Sequence, residues 1–535
     1  MGPMAAVRPE RTVIGGSLEI SRMINGLWQR ADGHDKKSDI AVAVEVMDNL
    51  THRGLDTFDM ADHYGDAVLA LIHTQNRTGY WRAQHYSTWC EHGSIHQMVP
   101  SSDWSQDLEN AEAAVDLALR RMNQKKIHLL QYVIDHAWDF SDDTYLHNLD
   151  HLRILQERGK IGLIGLTNTD AAHLELLLDS GFPIATNQIP TNVIDRRLTR
   201  GRMNDLCLKH DVGILAYATL LGGFLSEKWL RKSEPASMDE LNWSLRKYLR
   251  FIWAAGGWGP FQVVLEALNT VAQRHGVSIA AVATRYVLDI PSVKAVIVGS
   301  RLSDDSEHYV ERNLEAFQLN LSKEDLLVIQ EAQEGLTDIP NDCGDEYRRA
   351  PILTAAGDTS HHFEETTAAK PTRGSCSWQT GRVLVWKQVG ADRCRKILHP
   401  WVHSRANEIV QGYCRAVRAG NVIRISGTTA NSPIPTIPAI GGCCARSQTV
   451  RVLDIIENAL KALGSSLSDV VRTRIMIRDA SVCEEVSRAH GWVFQMAGVR
   501  PANTLVTAGL VGDHMLVEIE AEAEVECAMA GVYSI

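Results

Sequence analysis

The 535-residue chain contains no apolar run of about eighteen residues, the length a helix needs to span a bilayer, so no membrane span is expected. It also lacks C-x-x-C pairs and Cys/His spacings suited to zinc. Its ten cysteines stand singly except for Cys443 and Cys444, which reads as reduced thiols of a cytoplasmic protein without a metal site. Positive charge is in deficit, with 54 Lys and Arg against 65 Asp and Glu and a net charge of −11, which argues against general affinity for nucleic acid. The opening MGPMAAVRPERT has no apolar stretch to serve as a secretory signal. No G-x-G-x-x-G follows the first apolar run, which weakens a Rossmann reading.

Alternation is what the chain does have. Between residues 20 and 300 eight short apolar runs (24–28, 55–61, 83–88, 127–134, 161–167, 183–188, 212–218 and 293–299) are separated by stretches of helical period such as DLENAEAAVDLALRRM. Eight such repeats within about 300 residues predict a closed (β/α)₈ TIM barrel over residues 1–345. The pattern fades over 346–385, read as a linker. Residues 386–535 then predict strands and helices in the order β-β-α-β-α-β-β, a small α+β unit. Residues 381–535 hold 17 basic and 14 acidic side chains, spread out and not striped, so a ribonuclease label gains little support.

Chemistry in such a barrel sits where strands end. The second strand ends in Phe58-Asp59-Met60-Ala61-Asp62-His63-Tyr64-Gly65, and further polar clusters close other strands: Gly26-Leu27-Trp28, Leu166-Thr167-Asn168, Asn187-Gln188, Ala216-Tyr217-Ala218-Thr219-Leu220-Leu221-Gly222-Gly223, and Gly299-Ser300-Arg301 with Asn313 beyond. Singly, each is open to a blander reading as a helix cap, a turn or barrel packing. As a set, residues 12–340 resemble the aldo/keto reductases.

That resemblance implies an oxidoreductase site for NADP(H) and a small carbonyl or aldose-like substrate. Thr167, Asn168 and Gln188 would bond the nicotinamide carboxamide and Tyr217 would stack on its ring. Trp28, Leu220 and Gly222 would line the cofactor, and Ser300, Arg301 and Asn313 would hold its adenosine end. Arginine beside a small hydroxyl suits a 2′-phosphate, because guanidinium offers paired donors. Asp59, Tyr64 and His136 would be catalytic, with Tyr64 giving a proton to the carbonyl oxygen. Two positions depart from the family. The lysine that would activate the tyrosine falls on Thr88, and no lysine occurs between Lys37 and Lys125. Three extra residues precede His136, about 10 Å of strand with reversed facing, so His136 reaches the substrate only if they bulge. A nicotinamide-binding sensor or scaffold without turnover is therefore the competing expectation.

Farther on, Ile425-Ser426-Gly427, Gln448-Thr449, Asp469-Val470-Val471, Arg500-Pro501-Ala502 and Val517-Glu518-Ile519-Glu520-Ala521 resemble the RidA (YjgF) family, small chorismate-mutase-like units that form trimers with interfacial clefts. The resemblance implies a cleft with Tyr413, Ser426 and Glu518, and a homo-oligomer. The family's substrate-clamping arginine falls on Asn503, whose amide cannot make a bidentate cationic clamp. The unit is read either as a site for a neutral small molecule or as a trimerisation module.

Overall fold

The computed structural model describes residues 7–28, 39–60, 83–87, 108–121, 123–133, 139–303, 306–348, 383–384, 395–397 and 413–525. The eight apolar runs form β3 (Met23–Gly26), β4 (Thr57–Met60), β5 (Ala83–Ser87), β6 (Ile127–Val133), β7 (Ile161–Thr167), β8 (Ile184–Pro190), β9 (Gly213–Tyr217) and β10 (Val293–Val298). All eight are parallel, and β10 pairs with both β9 and β3, closing the barrel. The (β/α)₈ expectation is thus met.

Helices cover the barrel through their apolar stripes. Ile40–His52, for example, buries Ala43, Val44, Met47 and Leu50 and is capped by the Asp39 carboxylate, which accepts from the Ala41 N–H. The base of the barrel is closed by a hairpin absent from the sequence reading. Its strands β1 (Arg11–Ile14) and β2 (Leu18–Ser21) turn at Gly15 and Gly16, both at positive φ. Its Ile14, Leu18 and Ile20 pack on Ile24, Leu129, Leu215 and Ala295 from inside the barrel, each contributing roughly 1.5–3 kcal/mol by burial. The opposite end is the mouth, where the strands' C-termini converge.

After the helix Lys323–Gln333 the chain returns across that mouth. Gly344, at φ +89°, lies so close to the Asn168 backbone that a Cβ there would stand 2.0 Å from its carbonyl oxygen, so no other residue fits. Asp345, Glu346 and Tyr347 are buried. The start of the stretch read as a linker is therefore packed on the barrel and acts as a strap over its mouth.

The C-terminal unit has β11 (Val383–Leu384), β12 (Arg395–Ile397), β13 (Ala416–Ala419), β14 (Val422–Thr429), β15 (Val470–Ile477), β16 (Ala502–Thr507) and β17 (Val517–Glu524), in spatial order β11-β12-β13-β14-β17-β15-β16. Strands β13 and β14 turn at Gly420, at φ +63°, as the Ala419-Gly420-Asn421 text predicts. The helices Ala445–Ala462 and Cys483–Met496 bury Val452, Ile456, Leu460, Val486 and Phe494 in the same core as Ile475 and Ile519 of the sheet. The end strand β16 is largely exposed. This α+β order agrees with the sequence reading, and β11 and β12 extend the sheet beyond it.

The two units meet along a seam. Ile434, Ile440, Val450 and Ala489 join the barrel's own apolar core. Around them Ser447 Oγ donates to Asp179 at 2.7 Å, Asn458 Nδ2 donates to the Ser141 carbonyl at 2.7 Å, and Arg451 pairs with Asp143.

Candidate active site at the barrel mouth

Backbone strain gathers at the mouth. Asn168 after β7, Ala218 and Leu221 after β9, and Arg301 after β10 all adopt positive φ without being glycine, a conformation held only where the surroundings over-determine it. Gly222, at φ +65°, has the same need, and a Cβ there would lie 2.8 Å from the Tyr248 ring.

Asp59 ends β4 and is 4% exposed. Among the described residues its side-chain hydrogen bond comes from Gln188, whose Nε2 donates across 3.3 Å. Burial dominates, pushing the carboxyl up to about 7, with the Gln188 bond only partly opposing it. Gln188 Oε1, the Thr167 hydroxyl and Asn313 Nδ2 are buried without hydrogen-bond partners. Orphaned buried polar atoms cost on the order of 1–3 kcal/mol each unless something meets them. One hydroxyl and one acceptor toward the ends of β7 and β8, with one donor on the helix Ser306–Glu315, fit a ligand with amide and hydroxyl groups along its length.

On the other side of the mouth Tyr217 gives its hydroxyl proton to Asn168 Oδ1 at 2.8 Å and lies 2.9 Å from the Tyr347 hydroxyl. Burial, with Tyr347 and Glu346 nearby, holds the Tyr217 hydroxyl well above the usual tyrosine range, so it stays protonated. Trp28 faces the same space, 5.2 Å from the Lys247 ammonium. Leu220 is half-buried against both barrel cores. The Ser300 hydroxyl is engaged with Asn25 Oδ1 at 3.3 Å, and the Arg301 guanidinium lies 5.2 Å from the centre of the Tyr309 ring. The structure therefore brings Asn168 and Tyr217 into one hydrogen-bonded group and Gln188 and Asp59 into another, and leaves Ser300 and Arg301 turned to neighbours of their own. Tyr64, Thr88 and His136 lie outside the described residues.

Sequence reasoning missed Lys247, Tyr347 and Arg348. Lys247 belongs to the amphipathic helix Trp243–Ala254, and the other two to the strap. Arg348 donates to the Asn168 carbonyl at 3.0 Å and pairs with Asp170 at 2.8 Å. Asp170 caps the next helix, accepting from the Ala172 and His173 N–H groups. The tightly spaced Gly344-Asp345-Glu346-Tyr347-Arg348 text was the one available signal, since five such residues are a poor flexible linker.

In the C-terminal unit Glu518 faces Gly427, where a Cβ would stand 2.0 Å from its carboxylate. Burial first, then the neighbouring Glu520 charge, raises the Glu518 carboxyl, while Arg415 pulls it down. Arg415, also missed, is buried and donates to the Gly427 carbonyl and the Thr428 hydroxyl, both at 2.9 Å. Ser426 Oγ donates to the Cys414 carbonyl at 2.8 Å, and Asn503 Oδ1 accepts from Thr473 at 3.2 Å. Tyr413 is exposed. Ser426 and Asn503 are thus occupied by neighbours, and the half-buried Glu518 carboxylate rests against the space that Gly427 leaves.

Residues 22–334 match the Aldo/keto reductase family, and residues 404–525 match Endoribonuclease L-PSP. The chain is similar to Protein tas of Escherichia coli, 26% identical over 60% of this chain and 96% of that protein. It is similar to Flagellar radial spoke protein 5 of Chlamydomonas reinhardtii at 29% identity over 28% of this chain, a match that spans about a third (32%) of that relative. Its C-terminal part is similar to a RutC family protein of Pyrococcus horikoshii, 30% identical over 21% of this chain and 85% of that protein.

Proposed function

Because the chain belongs to the aldo/keto reductase family through residues 22–334 and carries a C-terminal unit of the Endoribonuclease L-PSP family, we propose that it is an NADP(H)-linked oxidoreductase of small carbonyl compounds. The observation that carries this reading is the pair of orphaned buried atoms on Thr167 and Gln188 at the barrel mouth, joined by that of Asn313 on the helix Ser306–Glu315. Gln188 Oε1 is free to accept from the carboxamide of a nicotinamide, and the Asn168 side chain beside it is fixed by Tyr217. Arg301, next to Ser300, is the candidate for a 2′-phosphate. When bound, the reduced nicotinamide supplies the hydride.

The chain's own part is to hold the carbonyl compound, exclude water and deliver a proton. Asp59, Tyr64 and His136 are the candidates that the family text supplies for this part. Asp59, pushed up to about 7, is about half protonated in neutral solution, and its protonated form serves as an orienting donor toward the mouth. The same departure at Thr88 favours a second reading, a nicotinamide sensor that binds without turnover. For the C-terminal unit we propose homo-oligomer formation through the exposed strand β16 and its neighbour β15, where Val471 and Val506 stand in solvent.

Titrating the purified chain with NADPH by fluorescence, then adding aldehydes, aldoses and α-dicarbonyls while following NADPH oxidation, tests the assignment. Micromolar binding with carbonyl-dependent oxidation is expected. Binding without oxidation selects the sensor, and absence of binding removes both.

A further inference from the structure

We propose that Tyr347, backed by Lys247, is the proton donor to the substrate's carbonyl oxygen, in the role that the family text assigns to Tyr64. This rests on the reductase reading above and names the residue that completes its chemistry. The stretch in which the family text places an activating lysine has no lysine, since none lies between Lys37 and Lys125. A cation is nevertheless present at the mouth, contributed by a different element. Lys247 Nζ donates to the Tyr347 hydroxyl at 2.9 Å.

The hydrogen bonds set the two tyrosines apart. Tyr217 has one hydroxyl proton, and it is spent on Asn168 Oδ1, an atom that only accepts. In the 2.9 Å contact between the two tyrosines, Tyr217 must therefore accept and Tyr347 must donate. The proton of Tyr347 thus rests on Tyr217 as that of Tyr217 rests on Asn168, and Tyr347 is the one of the two whose oxygen bears a lysine, one hydrogen bond away from the residue expected to stack on the nicotinamide. Its oxygen already receives the lysine's N–H, the arrangement in which an ammonium neutralises a phenolate as it forms.

Lys247 is held for this purpose by aromatic faces, with Trp28 and Tyr347 at 5.2 Å, Tyr248 at 5.8 Å and Tyr217 at 5.9 Å from its ammonium. The strap holds Tyr347 in turn through the close approach of Gly344 to Asn168 and the bond from Arg348 to the Asn168 carbonyl.

The step balances. The carbonyl carbon gains a hydride from the reduced nicotinamide, which is oxidised, and the C=O π pair moves to oxygen. The Tyr347 O–H bond breaks and its proton joins that oxygen, giving an alcohol. The phenolate left behind pairs with the Lys247 ammonium until solvent restores the proton.

Four variants test the assignment: Tyr347→Phe, Lys247→Met, Lys247→Arg and Tyr64→Phe, each assayed for NADPH affinity by fluorescence as well as turnover. Tyr347→Phe is expected to lower kcat by about 10²-fold or more, the usual weight of a general acid, with NADPH affinity within about threefold of the parent. Lys247→Met should move the alkaline limb of the kcat/KM profile to higher pH, because a donor without its cation holds its proton longer, and Lys247→Arg should restore the limb. A Tyr347→Phe variant with parental kcat, or a deeper loss in Tyr64→Phe, overturns the assignment while leaving the reductase reading intact. An unmoved limb in Lys247→Met removes the lysine's part. A parent chain that binds NADPH and reduces nothing removes the reductase reading and this inference together.

Discussion

The barrel mouth and the seam between the two units both bury polar groups, some of them without hydrogen-bond partners in either region, and they differ in how buried charge is compensated. At the seam, charge meets charge. His173 sits between Asp170, 2.8 Å from Nδ1, and Asp454, 3.3 Å from Nε2, with its ring stacked on Phe140 at 3.7 Å. Burial alone would strip its proton, yet the two carboxylates prevail and its pKa stands at about 9. At the mouth Asp59 has no such counter-charge among the described residues, and Gln188 and Thr167 keep open valences. The difference is one of charge: the seam compensates its buried ionisable groups with opposite charges, and Asp59 at the mouth is compensated by an amide alone among the described residues.

Breaking the seam should have the largest effect. Arg451 is 1% exposed and paired to Asp143 across the two units, so Arg451→Met leaves a buried carboxylate alone. A loss of about 3–5 kcal/mol in chemical denaturation is expected. A loss below about 1 kcal/mol means the seam is looser than a structural joint.

At the mouth the sign reverses, because Asp59 is a burden there when ionised. Its carboxyl, raised from 3.8 to about 7, makes the fold lose stability as pH rises between those values. Asp59→Asn should therefore stabilise the chain by on the order of 4 kcal/mol at pH 8 and by little near pH 4. Equal unfolding midpoints of parent and variant at pH 8 contradict the missing counter-charge.

The smallest expected effect falls on the open valence itself. Gln188→Leu should weaken NADPH binding about five- to tenfold, the weight of one hydrogen bond, without disturbing the unfolding midpoint by more than about 1 kcal/mol. Unchanged affinity places the carboxamide elsewhere.

Much of this architecture was legible in the residues. The period-2 and helical-period alternation placed all eight barrel strands, and the Gly420 turn and the stripe through Val452, Ile456 and Leu463 placed the C-terminal hairpin and helix. Asn168, Gln188 and Tyr217 could be singled out because they end strands, and a strand end in such a barrel faces the mouth. The hairpin at the base was missed because four-residue strands around two glycines give too short a pattern. Tyr347 and Arg348 were missed because a strap has no period, and its packing depends on residues about 130 and 180 positions away, Tyr217 and Asn168.

Local pattern determined the elements and which residues stand at their ends, since backbone geometry fixes the facing of each side chain within a strand or helix. Only the tertiary structure decided which ends share a proton. That choice brought Lys247 to Tyr347 across 100 residues and His173 to Asp454 across 281, because hydrogen bonds and buried charges act over about 3 Å of space and are blind to distance along the chain.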